Sequence, residues 1–321
     1  MTGSAAAETW LVGDIGGTNA RFGLMSPKRD LLHSQILADS DYTGVAEAIE
    51  AFLDKSGDLP KPRRGAIAIA SPITGDRVSM TNHPWRFSIT ELRRQLGFDR
   101  LEVINDFTAQ ALALPHLGAE HKMPLGGGAP IAGRPLAVLG PGSGLGVSGL
   151  IPAGGKWVPL TGEGGHATMA PATDREGAVL GHMRRQFDHV SAERCLSGPG
   201  LVNLYNALAG IDGVPAVQYT AAQITDPETC AGDRLCREAT DMFCAMLGGA
   251  AGDLALTLGA QGGVFIAGGI VPRLGRRFAA SPFRARFEAK GRFQAYLAAI
   301  PTAVVTHPLA AFVGCGAALA D

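Results

Sequence analysis

The sequence predicts an α/β fold built from two related halves. Three observations carry this reading. Short apolar runs of strand character alternate with longer helical patterns along the chain. A glycine-rich turn lies between two apolar runs at 10–25, and the same arrangement recurs at 135–151. With 321 residues and 46% hydrophobic side chains, there is enough apolar surface for two lobes.

The elements follow in order. Residues 10–25 read as a hairpin around Asp14-Ile-Gly-Gly-Thr-Asn-Ala-Arg21. Residues 43–54 form an amphipathic helix, with Val45, Ile49, Phe52 and Leu53 on one side. A buried strand at 66–70 leads into a turn at 71–76, and 77–80 reads as its return strand. Ser88 is placed to cap a helix over 88–97, with Glu91 three residues on. A strand at 101–104 delivers Asn105 and Asp106 at its carboxyl end, ahead of a helix over 108–117. The second half opens with a strand at 135–139, the turn Gly140-Pro-Gly-Ser-Gly-Leu-Gly146 and a return strand at 147–151. A helix over 198–209 has Pro199 near its start. Residues 228–259 are mostly helical, and their Ala and Gly content lets neighbours pack closely. A strand at 263–267 ends in Gly268-Gly269. A strand at 302–306 and a helix at 309–319 close the chain. The expected organisation is a small α/β lobe at 1–110, joined by the C-terminal helix at about 301–321, and a large α/β lobe at 111–300.

Bulk properties exclude several classes. The formal net charge is −1, from 28 basic and 29 acidic residues, with no basic block, so nucleic acid is not an expected partner. Five cysteines without paired metal spacing read as free thiols in a reducing cytoplasm. The opening stretch, Met1-Thr-Gly-Ser-Ala-Ala-Ala-Glu8, has neither the basic region nor the apolar core of a signal peptide. The most apolar run, 262–272, is shorter than the roughly 20 residues a bilayer requires, so no membrane partner is expected.

The first glycine turn carries the most chemistry. Gly16 and Gly17 let backbone N–H groups approach an anion closely, and Thr18 and Asn19 add side-chain donors. Asp14 brings a carboxylate that can hold a hydrated magnesium ion. Together these suit the phosphate tail of a nucleotide triphosphate, and the recurrence at Gly140 suggests one nucleotide shared by two halves. No G-x-x-x-x-G-K-[ST] occurs. Gly144-Leu-Gly-Val-Ser-Gly149 matches a dinucleotide fingerprint, but that fingerprint must open a helix, and 147–151 reads as strand.

Seven segments carry a resemblance. They are Asp14-Ile-Gly-Gly-Thr-Asn-Ala-Arg21, Ile104-Asn-Asp-Phe107, Gly140-Pro-Gly-Ser-Gly-Leu-Gly146, Gly162-Glu-Gly-Gly-His166, Ser191-Ala-Glu-Arg194, Leu196-Ser-Gly-Pro-Gly-Leu-Val202 and Ala267-Gly-Gly-Ile-Val-Pro-Arg273. In this order they resemble the bacterial glucokinases of the proteobacterial type, which are ATP-dependent hexose kinases. The resemblance runs from about residue 10 to the C-terminus. It implies a two-lobed, actin-like (ribonuclease-H-like) fold with the active site in the interlobe cleft. It also implies ATP with Mg2+, glucose as acceptor and a homodimer.

As residue types alone, an Asn-Asp pair before a helix reads as a cap, and Asp106 would cap the helix from Thr108. The resemblance instead makes Asn105 and Asp106 sugar ligands, with Asp106 the base toward the 6-hydroxyl. It makes Glu163, His166 and Glu193 partners of the ring hydroxyls, where the plain alternatives are a loop acid and a satisfied histidine. Buried polar groups of this kind discriminate strongly among polyols. Gly142, Ser143 and Gly144 would hold the terminal phosphates, and Gly268 and Gly269 would let adenine and ribose lie against the backbone. Residues 167–180 contain no cysteine, unlike the zinc-binding segment of the related ROK sugar kinases. Ser71-Pro72 and Thr81-Asn82-His83 recur in the family without an assigned role, and Asn82 is a further sugar-pocket candidate. Trp85 reads as packing; Arg21 supports the phosphate turn or forms a surface salt bridge. The alternatives kept open are a kinase for another hexose or amino sugar, a sugar-sensing regulator and a chaperone-like ATPase.

Overall fold

A computed structural model describes residues 8–320 except Asn82, so the sugar-pocket expectation for Asn82 and the opening stretch 1–7 lie outside the described residues. The chain divides into two units. One comprises the chain up to Gly118 together with the segment from His307 onward; the other is Ala119–Thr306.

The first unit is organised on strands β1 (Trp10–Ile15), β2 (Asn19–Met25), β3 (Leu31–Ala38) and β4 (Arg64–Ile69), a small ribbon of β5 (Arg77–Ser79) and β6 (Arg86–Ser88), and β7 (Arg100–Asn105). The main sheet runs β3-β2-β1-β4-β7. The first three strands form an antiparallel meander; β1, β4 and β7 are parallel. Parallel strands are covered on both faces, which is why β1 and β4 read as unbroken apolar runs. Helix Val45–Asp54 buries Val45, Ala48, Ile49 and Phe52, as its periodicity predicts.

One local expectation changes here. Segment 77–80 does not return along the strand at 66–70. Both edges of β4 are already taken, by β1 and β7, so β5 pairs with β6 instead. Ser88 does cap its helix, Ile89–Gln95, by accepting from Glu91 N. Asp76, from the loop before β5, completes that cap: it accepts from Thr90 N at 2.9 Å and from the Ser88 hydroxyl.

Helix Ala310–Ala320 packs on helix Asp106–Ala113 and on β1 and β4. Its small residues set the distance. A Cβ at Gly314 would stand 2.6 Å from Ala109 C and 3.0 Å from Ala109 Cα, so the two backbones touch there.

The second unit contains β8 (Lys122–Gly126), β9 (Leu136–Pro141), β10 (Leu145–Ala153), β11 (Lys156–Leu160), β12 (Gly263–Ile266) and β13 (Thr302–Val305), in the order β11-β10-β9-β12-β13-β8. Again three strands form an antiparallel meander (β11, β10, β9) and three run parallel (β9, β12, β13), with β8 added antiparallel at the far edge. The topology of the first sheet is therefore repeated, as the two glycine turns predict.

The helical stretch 228–259 is two helices, Pro227–Gly232 and Arg234–Leu258, separated by Asp233, which caps the second through Leu235 N. Helix Arg234–Leu258 is long and apolar enough to cross a membrane by length and composition. Here it is the core helix of its unit, packed against helices Gly198–Asp212 and Phe283–Glu288. Its glycines do what the composition suggested: Gly248 and Gly252 lie against the carbonyls of Phe283 and Phe287.

Candidate active site

In the first unit the three parallel strands end in register, Ile15 beside Ile69 and Ile69 beside Asn105. Ligands of open α/β sheets bind outside the carboxyl ends of such strands. The residues singled out in this half lie at that edge. The glycine turn is closed by Gly16 N donating to Asn19 O at 3.1 Å, leaving Gly17, Thr18 and Asn19 exposed. Asp14 is half-buried at the base of the turn, directly across from Arg21. Burial pushes its carboxyl above the usual range, and the Arg21 charge works against that shift. Among the described residues no group of three His, Cys, Asp or Glu is placed to hold a metal ion. One carboxylate beside exposed backbone fits magnesium, which keeps most of its water and is otherwise held by phosphate oxygens.

The Asn105–Asp106 pair resolves differently from the cap expected of it. The helix begins at Asp106, not at Thr108, and its cap is Asn105. Asn105 Oδ1 accepts from Phe107 N at 2.8 Å and from Thr108 N at 3.3 Å, while Nδ2 donates to Ser71 O at 3.4 Å. Asp106 becomes the first helical residue, half-buried, with Oδ1 accepting from Phe107 N at 2.9 Å. Ser71 gains a function that its sequence position did not reveal. Its hydroxyl meets Thr81 N at 2.8 Å and Thr81 Oγ1 at 3.1 Å, which ties the loop after β4 to the loop after β5. Trp85 is packing, as expected: it is 3% exposed and its indole N–H donates to Tyr42 O.

The second unit gathers its own group. The turn between β9 and β10 is closed by Gly142 N donating to Gly144 O at 2.8 Å. Gly142 O accepts from Gly198 N, so the start of helix Gly198–Asp212 is fastened to the turn. Gly268, with φ +81°, lies against the Gly140–Pro141 backbone, and Ile270 N donates to Pro141 O, which puts Gly268-Gly269 beside the same turn. Ser143 is exposed at the tip.

The segments carrying Glu163, His166 and Glu193 meet the start of β10 and one another through packing and hydrogen bonds. Gly164–His166 forms a short 3-10 turn, with Gly164 against the Val147 side chain and Gly165 against the Leu145 carbonyl. Ala192 N donates to Ala167 O at 2.8 Å, and Thr168 bridges Ser191. Glu193 Oε2 accepts from Leu145 N at 2.9 Å and lies over Gly144, where any Cβ would strike it. Glu163 and His166 are exposed at this edge. The contact of Glu193 with the glycine turn is not visible in the sequence; it depends on two segments meeting in space.

Comparison with known proteins identifies the family. The glucokinase family model matches residues 11–321. A glucokinase of Paramagnetospirillum magneticum is 57% identical, covering 97% of each chain. A glucokinase of Aromatoleum aromaticum is 50% identical, over 99% of this chain and 96% of that one. Among solved structures, a glucokinase from an Antarctic psychrotroph superposes with a TM-score of 0.88 at 37% identity, over 97% of this chain and 98% of that one. With the family model spanning nearly all of the sequence and full-length relatives at or above half identity, the chain belongs to the glucokinase family.

Proposed function

We infer that this chain catalyses the glucokinase reaction, transfer of the γ-phosphoryl group of ATP to the 6-hydroxyl of glucose. Near-full-length identity to curated glucokinases supports the activity. The repeated strand order supports placing both units in the actin-like, ribonuclease-H-like superfamily. The catalytic assignment rests on one observation: the carboxamide of Asn105 caps the helix, so Asp106 is not needed as the cap. A sugar hydroxyl is too weak an acid to attack phosphorus unaided, and Asp106 takes its proton as the new P–O bond forms. Asn105 orients the sugar from the same strand end. Glu163, His166 and Glu193 pair with the ring hydroxyls and reject analogues that leave them unpaired.

Gly16, Gly17, Thr18 and Asn19, and likewise Gly142, Ser143 and Gly144, present donors to the phosphates. Gly268 and Gly269 give the nucleoside a flat backbone surface. Asp14 would hold Mg2+ through water, and the ion would supply charge neutralisation at the phosphoryl oxygens. The five cysteines are buried free thiols, which supports a reducing cytoplasm. The family resemblance supports a homodimer.

A coupled assay of ADP formation across a panel of hexoses tests the acceptor. Asp106→Asn keeps a hydrogen-bonding group but no base, so turnover falls roughly 10²–10⁴-fold while glucose binding by calorimetry persists. Turnover near wild type would remove Asp106 from the role.

A further inference from the structure

Among the described residues of the first unit, Asp39, His83 and His33 carry buried polar atoms without a hydrogen-bond partner, and none of the three has a part in the chemistry above. Asp39, in the short 3-10 turn Asp39–Asp41 that follows β3, is 1% exposed, and neither carboxylate oxygen has a partner among the described residues. His83, in the loop between β5 and β6, has a buried, unpartnered Nδ1. A buried carboxylate with nothing to accept from is costly, and a leucine would avoid that cost. Asp39 and His83 are complementary: the carboxylate lacks donors, and an imidazole Nδ1–H is one. A positive charge on His83 favours the ionised form of Asp39, against the larger effect of burial.

Their backbone connections lead to both ends of the proposed reaction. Asp39 N donates to Thr18 O at 3.0 Å, so Asp39 is fastened to the first phosphate turn. Tyr42 N donates to Asp39 O, and Tyr42 O in turn accepts from the Trp85 indole at 3.2 Å. His83 lies edge-on to Trp85, with ring centroids 4.6 Å apart. On the other side of His83, Thr81 is bonded to Ser71, and Ser71 O accepts from Asn105, the cap of the helix that begins with Asp106. Contacts therefore run from Thr18 through Asp39, Tyr42 and Trp85 to His83, and a second set runs from Thr81, two positions earlier in the chain, through Ser71 to Asn105.

We propose that Asp39 and His83 are a positioning couple for phosphoryl transfer, locking the Gly16–Asn19 turn to His83 and Trp85 and, through the Thr81–Ser71 contact, to the helix bearing Asp106. Their unmet atoms are satisfied together when Nδ1–H points at the carboxylate, directly or across a single water. Neither residue touches substrate; both act by holding the turn that does. The proposal rests on the reading of that turn as an ATP phosphate site.

The test is a double-mutant cycle in the full chain with Asp39→Asn, His83→Leu and the double variant, plus His83→Asn, whose amide nitrogen falls close to the position of Nδ1. The readouts are kcat/KM for MgATP, the kcat and KM behind it, and Tm. Groups that act as a unit are non-additive. Each single variant is expected to lose roughly tenfold or more in kcat/KM for MgATP, the double variant no more than the worse single, and His83→Asn to recover most of the loss. Losses that multiply in the double variant, or a drop in Tm with MgATP parameters unchanged, overturn the couple. Gly17→Val separates the two claims. If it leaves ATP binding intact, the phosphate-turn reading fails; if it blocks ATP while the cycle is additive, only the couple fails.

Discussion

Replacing Gly314 by alanine tests how the helix carrying Asp106 is held. The added Cβ would lie 2.6 Å from Ala109 C and 3.0 Å from Ala109 Cα. Carbon atoms rest at about 3.5–4.0 Å, so the two helices must separate by roughly 1 Å. Both obstacles are backbone, so no side chain can swing away. Overpacking of this kind typically costs about 1–3 kcal/mol. Gly177, in helix Asp174–Met183, is the matched control: a Cβ there meets nothing within 4 Å. Alanine at 177 should stabilise by roughly 0.4–1 kcal/mol, from helix propensity and reduced freedom of the unfolded chain. Thermal unfolding of the two variants is thus expected to move in opposite directions. Initial-rate kinetics complete the test, because a misplacement near 1 Å in a catalytic group can cost on the order of 10²-fold. Gly314→Ala should lose turnover while ADP and glucose still bind; Gly177→Ala should keep it. A neutral or stabilising Gly314→Ala would show that this crossing is not tight, and the argument that it fixes Asp106 would fall.

Three further outcomes follow from the same geometry. Glu193→Ala strips the acceptor from Leu145 N and is expected to lower kcat/KM for MgATP as well as for glucose by roughly tenfold or more, whereas Glu193→Gln keeps an acceptor and loses less; an effect confined to glucose in steady-state kinetics would refute the turn contact. Gly142→Ala adds a methyl that meets no protein atom within 4 Å, so Tm should hold while ATP affinity by calorimetry falls; unchanged affinity would remove that position from the phosphate site. Asp212 is held down to about 2 by hydrogen bonds from Arg175 and Arg234. The folded carboxyl gives up its proton more readily than the unfolded one, so its stabilisation is present above the ordinary carboxylate range and fades as pH falls toward about 2. Asp212→Asn should therefore lower Tm at pH 7 and converge on wild type in acid; a constant offset across that window would refute the assignment.

The sequence was most readable where local rules and global fold agree. The hairpin β1–β2 and its counterpart β9–β10 are short apolar runs around glycine, and both stand where predicted. Edge strands were harder. In β3, Leu31, Leu32 and Ile36 are exposed while His33 is half-buried, so no clean alternation betrays the strand. Strands of three residues, β5 and β6, carry no periodic signal at all, and which strand β5 would pair with depended on the edges of β4 being occupied. At the site, residue types were legible and their contacts were not. Asn105 and Asp106 differ by one atom in the side chain, and only the backbone decided which of them caps. Asp39 carried no motif; its interest lies wholly in being buried beside Thr18.

The glycines of the second unit separate structural need from space left open. At Gly165 and Gly268 a side chain would collide with the Leu145 and Pro141 backbones, so packing alone requires glycine there. Gly144 is constrained by the Glu193 carboxylate. Gly142 and Gly269 differ. Neither has a positive φ, and a Cβ at either meets no protein atom within 4 Å. Neither backbone strain nor packing within the protein explains glycine at these positions. Both lie beyond the carboxyl ends of parallel strands, β9 and β12, the same topological place that Gly16 and Gly17 occupy beyond β1. A residue without a side chain, unforced by its own protein and placed at a strand end that binds ligands, is best accounted for by a ligand that must approach the backbone closely. On the proposed reading, the tight glycines build the site and the open ones leave room for the nucleotide.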